Sequence, residues 1–377
     1  MKKYLFIIAS LLVVASACQK KQDNAAIGIY DEGGNSPVAI EFSTNVRTSQ
    51  SKAPIDAWNG EELYVFGYER IPYTASQPLS LSNAFIDTVP AQAPASGTEG
   101  GINVCDTDGH PFYYGYKNNA YIAYDFYACY ISDAAASADI QKAETTISVP
   151  FEINGTQDLM IAAANREADT WSEDTQTRLV EVEKAYSGYS ARRGVTPDLK
   201  FRHCLTRFDF SVQNCSTTGT VINIDDFTIS SVTTGKLVVA DIAGGVTGVV
   251  ADAGAQVNKL PVALPAGGIE LLPGGPEQTV GSMMVIPADV HTIDIGFKQL
   301  IDASVPGEYK ENLSVSYDIR PQDVTSDDNT TATEFKVGFK YKVLVKIYGL
   351  EKIEINVSLE PWSEGGNITI DPDELPW

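Results

Sequence analysis

The clearest pattern along the chain lies near its C-terminal end. Phe335, Val337, Phe339, Tyr341, Val343, Val345 and Ile347 are apolar at every second position. Ile353, Ile355, Val357 and Leu359 repeat the alternation after a turn around Gly349. A period of two puts successive side chains on opposite faces of a strand, so the two runs predict an antiparallel hairpin. Pairing Ile347 with Ile353 sets Lys346 against Glu354 and Lys340 against Glu360. Such cross-strand charge pairs help to fix register. One apolar and one polar face predict a sheet with a single solvated side.

The same alternation recurs upstream. Val38, Ile40 and Phe42 predict a first, half-buried strand, continuing towards residue 46, and Leu63 to Tyr68 predict a second. The aromatic-rich stretch from Phe112 to Tyr130 predicts a pair of core strands, and Ile222 to Val239 two short ones. Met283 to Ile286 form a strand stopped by Pro287, and Ile293, Ile295 and Phe297 alternate cleanly. Pro72 to Gly101, rich in Pro, Ser and Ala, predicts a long loop. Only Glu173 to Tyr186 has a helical character.

Gly194 to Pro197 marks a domain boundary, giving an N-terminal domain over 37–197 and a C-terminal domain over 198–377. Just beyond it, Leu199, Phe201, His203 and Leu205 share one parity, while Phe208, Phe210 and Val212 share the other. A one-residue slip exchanges faces. The switch therefore predicts a bulge near Thr206-Arg207 or a passage from one sheet to another. Many strands, short turns and almost no helix predict an all-β protein built of β-sandwich domains.

The N-terminus changes the picture. Lys2 and Lys3 precede an apolar run from Tyr4 to Val14, and Ala15-Ser16-Ala17 lead to Cys18. This is the order of a signal peptide over 1–17, too short for the ~20 residues of a membrane span. With Cys18 at the exit it resembles a bacterial lipoprotein signal, although Ala15 stands where Leu is usual. That resemblance implies acylation of Cys18 and anchoring in the outer membrane, since two or more chains hold stably at ~0.8 kcal/mol per buried CH₂. Residues 18–36 are polar and aperiodic and predict a flexible tether.

The 377 residues carry a net charge of −22, and removal of Lys2 and Lys3 makes the mature chain more negative still. Such a surface repels phosphate backbones, which excludes nucleic acid as a partner. Besides Cys18 there are Cys105, Cys129, Cys204 and Cys215. Cys204 and Cys215 cannot bridge along one strand, because eleven residues span ~36 Å and a disulfide needs Cα atoms within ~7 Å. Cys105 with Cys129 is one alternative, and separately buried thiols are the other.

Catalytic and metal motifs are missing. The three histidines, His110, His203 and His291, stand near no nucleophile motif, and no Cys/His metal spacing occurs. His203 reads as a hydrogen-bonded core histidine. No enzyme activity, metal or cofactor is expected. Trp58, Trp171 and Tyr113-Tyr114 offer flat rings that could stack on sugars, so a monomeric glycan-binding surface lipoprotein is the competing reading.

Five landmarks in order carry a further resemblance: Cys18; the segment Ile40 to Arg47; Leu199-Lys200-Phe201-Arg202-His203-Cys204-Leu205-Thr206-Arg207-Phe208; Met284-Val285-Ile286-Pro287; and Val357-Ser358-Leu359-Glu360-Pro361-Trp362. Together they resemble the fimbrillin family, the lipoprotein pilins of type V pili. The resemblance implies two tandem transthyretin-like Greek-key sandwiches and a structural role in a surface fimbrium, as shaft or tip, in cell adhesion and biofilm formation. It also implies assembly by strand exchange. An arginine-specific protease would cut between Arg47 and Thr48, and the strand of Val38, Ile40 and Phe42 would leave. A strand from another fimbrial subunit would fill the groove. The tail 363–377, with Ile368, Ile370, Leu375 and Trp377, is the candidate donor strand.

Overall fold

The computed structural model describes residues 36–44, 58–70, 80–95, 101–115, 122–132, 139–165, 185–217, 219–300, 313–324, 333–348 and 353–361. Cys18, Arg47, Thr48, Trp171, the tether, most of the 173–186 segment, and the tail with Ile368, Ile370, Leu375 and Trp377 lie outside the described residues. What is described is nearly all strand.

The strands of the N-terminal half are β1 (Glu62–Arg70), β2 (Ile86–Gln92), β3 (Ala123–Ile131), β4 (Gln141–Lys142), β5 (Thr146–Glu152) and β6 (Leu159–Ala164). After one turn of helix, α1 (Gly188–Ala191), come β7 (Arg202–His203) and β8 (Thr206–Asn214). Then follow β9 (Ile222–Val232), β10 (Thr234–Asp241), β11 (Gly248–Ala251), β12 (Val257–Pro261), β13 (Ile269–Leu271), β14 (Gln278–Val285), β15 (His291–Gln299), β16 (Leu313–Ile319), β17 (Phe339–Ile347) and β18 (Ile353–Pro361).

The C-terminal sandwich packs the sheet β14-β8-β17-β18 against β12-β9-β15-β16, with β13 beside β9. Phe208, Phe210, Val343 and Val345 of the first face Ile224, Phe227, Ile293 and Phe297 of the second in one core. The β17–β18 register is the one the charges predict: Ile347 pairs with Ile353, Lys346 with Glu354 and Lys340 with Glu360. Two features differ from expectation. The strand starts at Phe339 because Gly338 takes a left-handed φ of 72°, which leaves Val337 exposed and Phe335 buried in the core. And β17 pairs in parallel with β8, so Lys340 is buried rather than solvated.

The N-terminal half has a different logic. Its central sheet, β2-β1-β3-β6-β7, is apolar on both faces. Tyr64, Phe66 and Tyr68 of β1, with Tyr127 and Cys129 of β3, face the sheet β11-β10-β5-β4. Leu63, Val65, Phe126, Ala128 and Tyr130 face the other way, into a second core. Burial on both faces is why β1 and β3 read as continuous apolar runs rather than alternating ones. β2 lies within the stretch expected to be a loop; its Pro90 is tolerated because β2 is an edge strand. The aromatic stretch to Tyr130 yields one regular strand, β3, and an irregular extended segment at 111–114.

The parity switch after the boundary is a change of sheet, not a bulge. β7 belongs to the central sheet and β8 to the C-terminal sandwich. Nor do the sheets divide at residue 197, because β10 pairs with β5 of the N-terminal half and β11 joins the same sheet through β10. Adjacent methionines mark the same seam: Met283 sits in the C-terminal core and Met284 in the core beneath the central sheet. Cys129, Cys204 and Cys215 carry free thiols, which rules out the Cys105–Cys129 bridge. Burial pushes the Cys129 and Cys204 thiols up to about 12, so both pack as small apolar groups.

Gly155 lies on that seam with φ +94°, its carbonyl accepting from Met284 N at 2.8 Å. A Cβ there would overlap the Met283 methyl. Gly155→Ala is expected to cost about 2–4 kcal/mol, from left-handed strain and overpacking together. The overpacking part should appear as the coupling between Gly155→Ala and Met283→Ala in a double-mutant cycle; denaturant unfolding of both single variants and the double variant measures it.

His291 is buried against Phe208 and Phe335, with Nδ1 2.9 Å from the Ser230 carbonyl. Burial holds its imidazole below the usual range, opposed by the Ser230 carbonyl and Asp289. The unfolded imidazole takes a proton near pH ~6.5, whereas the folded one does so only at lower pH. Its contribution to stability is therefore present above ~6.5 and lost as pH falls through the folded value. Urea midpoints measured between pH 7 and 5 should decline, and His291→Phe should flatten that decline.

Candidate functional site: an apolar groove filled by the leading segment

The outer core of the central sheet is closed by pieces of chain that make no regular sheet. These are the leading segment 36–44, the strips 101–105 and 111–115, and residues 185–199 around α1. The two strips bridge at Cys105 and Pro111, around a turn in which the Asp106 carboxylate accepts from the backbone N–H of Asp108 and His110.

The leading segment enters this layer as an extended strip. Ile40 and Phe42 are 2% and 1% exposed while Glu41 points to solvent, which is the alternation the sequence predicts. Val38 packs half-buried on the same core. The Phe42 ring meets Phe126 of β3 edge-on at 5.0 Å. Full burial of Phe and Ile is worth about 1.5–3 kcal/mol each, so these two side chains supply a large part of the hold.

The backbone adds isolated hydrogen bonds. Ile40 N–H donates to Phe112 O at 2.8 Å, and Tyr114 N–H to Val38 O at 3.0 Å. The segment then changes partner: Ile102 N–H donates to Phe42 O at 3.1 Å. Its other edge meets residues 197–199 in parallel, through Ser43 N–H to Pro197 O and Leu199 N–H to Ser43 O, both 2.9 Å. These are isolated bridges at Ala39, Phe42 and Ser43, in contrast to the nine-pair ladder of β17 and β18. Gly101 permits the closest approach, since a Cβ there would collide with Phe42 O. At the near end the Arg192 guanidinium holds Ser36 O and, at 2.9 Å, Gly188 O.

The segment thus lies between two walls, 101–114 and 197–199, on top of the central sheet and outside both regular sandwich layers. The structure brings Val38, Ile40 and Phe42 together as one inward-facing row.

The other chemistry considered from sequence lies elsewhere. His203 Nδ1 sits 2.9 Å from the buried Asp158 carboxylate, on the seam between the two halves. Arg70 and buried Asp125 pair at 2.9 Å on the central sheet, a pair the sequence reading missed because its partners are 55 residues apart. No cluster of metal-ligating side chains occurs among the described residues. Trp58 and Tyr114 are buried, Trp58 against Tyr130 and Phe201, and of the Tyr113-Tyr114 pair only Tyr113 is open to solvent.

No protein-family model and no curated protein matches the chain. Among solved structures, a candidate cell adhesion protein from Bacteroides uniformis is similar over 86% of this chain and 99% of its own, at 12% identity and a TM-score of 0.48. A fimbrilin, FimA, from Porphyromonas gingivalis is similar over 86% and 97%, at 11% identity and a TM-score of 0.40. The fimbrial anchor protein Mfa2 from the same organism covers 86% and 99%, at 12% identity and a TM-score of 0.35.

Because Phe42 is the largest side chain the leading segment buries, Phe42→Ala should loosen it selectively. Truncating a buried Phe costs about 3–5 kcal/mol. Hydrogen exchange is expected to speed up at the Ile40, Ile102 and Tyr114 amides, with protection across β17 and β8 unchanged.

Proposed function

We propose that the chain is a structural subunit of a surface fimbrium, exported as a lipoprotein on Cys18 and assembled by strand exchange. The observation that carries this reading is the position of the leading segment. It is buried, apolar and alternating, yet it belongs to no regular sheet and lies outside the paired sheet layers. Withdrawing it would uncover Phe126 and neighbouring apolar side chains and free the bonding groups of Ile102, Phe112, Tyr114, Pro197 and Leu199. An extended strand from another subunit repairs both deficits at once.

In this reading Arg47, three residues past Thr44, is the point where an arginine-specific protease cuts ahead of Thr48. Residues Val38, Ile40 and Phe42 then leave as a unit. The tail 363–377, through Ile368, Ile370, Leu375 and Trp377, donates to the groove of a neighbouring subunit. The lipid on Cys18 keeps the precursor at the outer membrane until it joins a fimbrium as shaft or tip, in support of adhesion and biofilm formation. The chain has no catalytic role in this scheme. The glycan-binding alternative loses its main support, because Trp58 and Tyr114 pack inward.

Treating the unlipidated chain with an arginine-specific protease tests the reading. A product beginning at Thr48, loss of the 36–47 fragment, and multimers whose size grows with concentration are expected; Arg47→Ala should stay monomeric and full-length. A chain cut at Arg47 that keeps its fragment and remains a monomer would rule the scheme out.

A further inference from the structure

Two Asn-Gly dipeptides occur in the chain, Asn59-Gly60 and Asn154-Gly155. The pairing is chemically fragile. Glycine has no side chain to shield its amide nitrogen, which can attack the side-chain amide carbon of the asparagine before it. Both asparagines are exposed, and both glycines take a left-handed φ, 82° at Gly60 and 94° at Gly155. In sequence, exposure and backbone the two places are alike. Their hydrogen bonds are not.

At the first, Gly60 N–H donates to Pro94 O at 3.1 Å, so the nitrogen must give up that bond before it can attack. The Glu61 carboxylate sits alongside and accepts from the Asn59 N–H. A carboxylate there opposes the negative charge that an attack builds up.

At the second, Asn154 Oδ1 accepts twice from Thr156, from the backbone N–H at 3.0 Å and from Oγ1 at 2.7 Å. The first of these bonds closes a ring through Gly155, so the side chain is folded back along the Gly155 amide rather than out into solvent. Both donors polarise the side-chain carbonyl and stabilise the oxyanion that forms on Oδ1 when its carbon is attacked. Gly155 N–H, meanwhile, donates to none of the described residues. Gly155 is buried, and unpaired amides are uncommon in buried backbone. One turn thus holds a free nucleophile and a polarised electrophile.

We infer that Asn154-Gly155 is a self-modifying site whose conversion loosens the seam between the two halves. Gly155 N gives its proton to hydroxide and bonds to Asn154 Cγ. The bond from Cγ to Nδ2 breaks, and the side-chain nitrogen takes a proton from water and leaves as ammonia. Water then opens the cyclic imide at either carbonyl. Breaking the new bond to Cγ leaves aspartate at 154. Breaking the original peptide bond leaves isoaspartate, in which the main chain runs through the side chain and gains a methylene. Water and hydroxide are the only co-reactants. The change falls between Ile153, whose N–H donates to Thr233 O at 2.8 Å, and Gly155, whose carbonyl accepts from Met284 N–H at 2.8 Å across the seam. The lengthened main chain moves that carbonyl away from Met284.

The test incubates the unlipidated full-length chain at mildly alkaline pH and follows peptide masses and released ammonia. Asn154 is expected to convert about tenfold faster than Asn59, to give both aspartate and isoaspartate, and to speed up as pH rises. Thr156 is exposed, so Thr156→Val should fold. It keeps the backbone donor, loses the hydroxyl, and should slow conversion at Asn154 by about threefold or more while leaving Asn59 unchanged. In the isoaspartate fraction, hydrogen exchange should quicken at the Met284 amide and stay unchanged across β17 and β18; Asn154→Gln incubated in parallel should keep its Met284 protection. Conversion at Asn59 as fast as at Asn154, or a wild-type rate in Thr156→Val, would overturn the inference. Unaltered Met284 protection in the isoaspartate fraction would overturn the loosening of the seam and leave the modification site standing.

Discussion

Everything in the N-terminal half depends on one constraint: the central sheet is apolar on both faces. β3 is buried at all nine positions, with Tyr127 and Cys129 on one side and Phe126, Ala128 and Tyr130 on the other. A sheet of that kind needs two covers, because water against either face would expose several large side chains at about 25 cal/mol per Å². A regular sheet covers one face. Irregular strips and the leading segment cover the other. The asymmetry of the two covers, one a hydrogen-bonded sheet and one an assembly of loose pieces, is what makes a removable element physically reasonable there and nowhere else in the described fold.

The C-terminal sandwich shows the contrast. Its two sheets share a core that includes Phe208, Phe227, Phe297 and Tyr341, and each strand has a ladder partner. The parallel β8–β17 pair joins residues more than 130 positions apart and locks the last long hairpin to the strand that leaves the central sheet. With Cys204 and Leu205 in the N-terminal core and Phe208 in the C-terminal one, the chain passes from one body to the other within four residues. Met283 and Met284 repeat the crossing in the opposite direction. The β9–β10 and β11–β12 connections cross it as well, so the seam is stitched repeatedly, which couples the two halves.

How much of this was legible in sequence follows from which physical signals are local. The β17–β18 register could be read because alternation and charge pairing are both short-range. So could the inward row of Val38, Ile40 and Phe42, since parity alone fixes it. The switch between Leu205 and Phe208 was visible as a change of parity, but sequence could not say whether it meant a bulge or a new sheet; that depends on partners distant in the chain. The same limit hid β2, whose Pro90 and small residues look like loop until β1 pairs with them. It also hid the return of β10 and β11 to the N-terminal half, and the burial of Trp58 and Tyr114, whose flat rings suggested a sugar-stacking role.

In the proposed exchange, a segment that is surrendered needs to hold the precursor together without out-competing its successor. The leading segment meets both demands by dividing its binding unequally. Apolar side chains, which need no partner of defined geometry, do the holding, and this suffices to keep Phe126 dry. Directional interactions, which reward one partner over another, are left incomplete: isolated bridges at Ala39, Phe42 and Ser43 in place of a ladder, and a change of partner between Ile40 and Phe42. In the proposed exchange, each shortfall is a free-energy difference available to a strand that pairs continuously. Because hydrophobic burial is nearly the same for any alternating apolar strand while hydrogen-bond satisfaction is not, the direction of the proposed exchange rests on the directional terms.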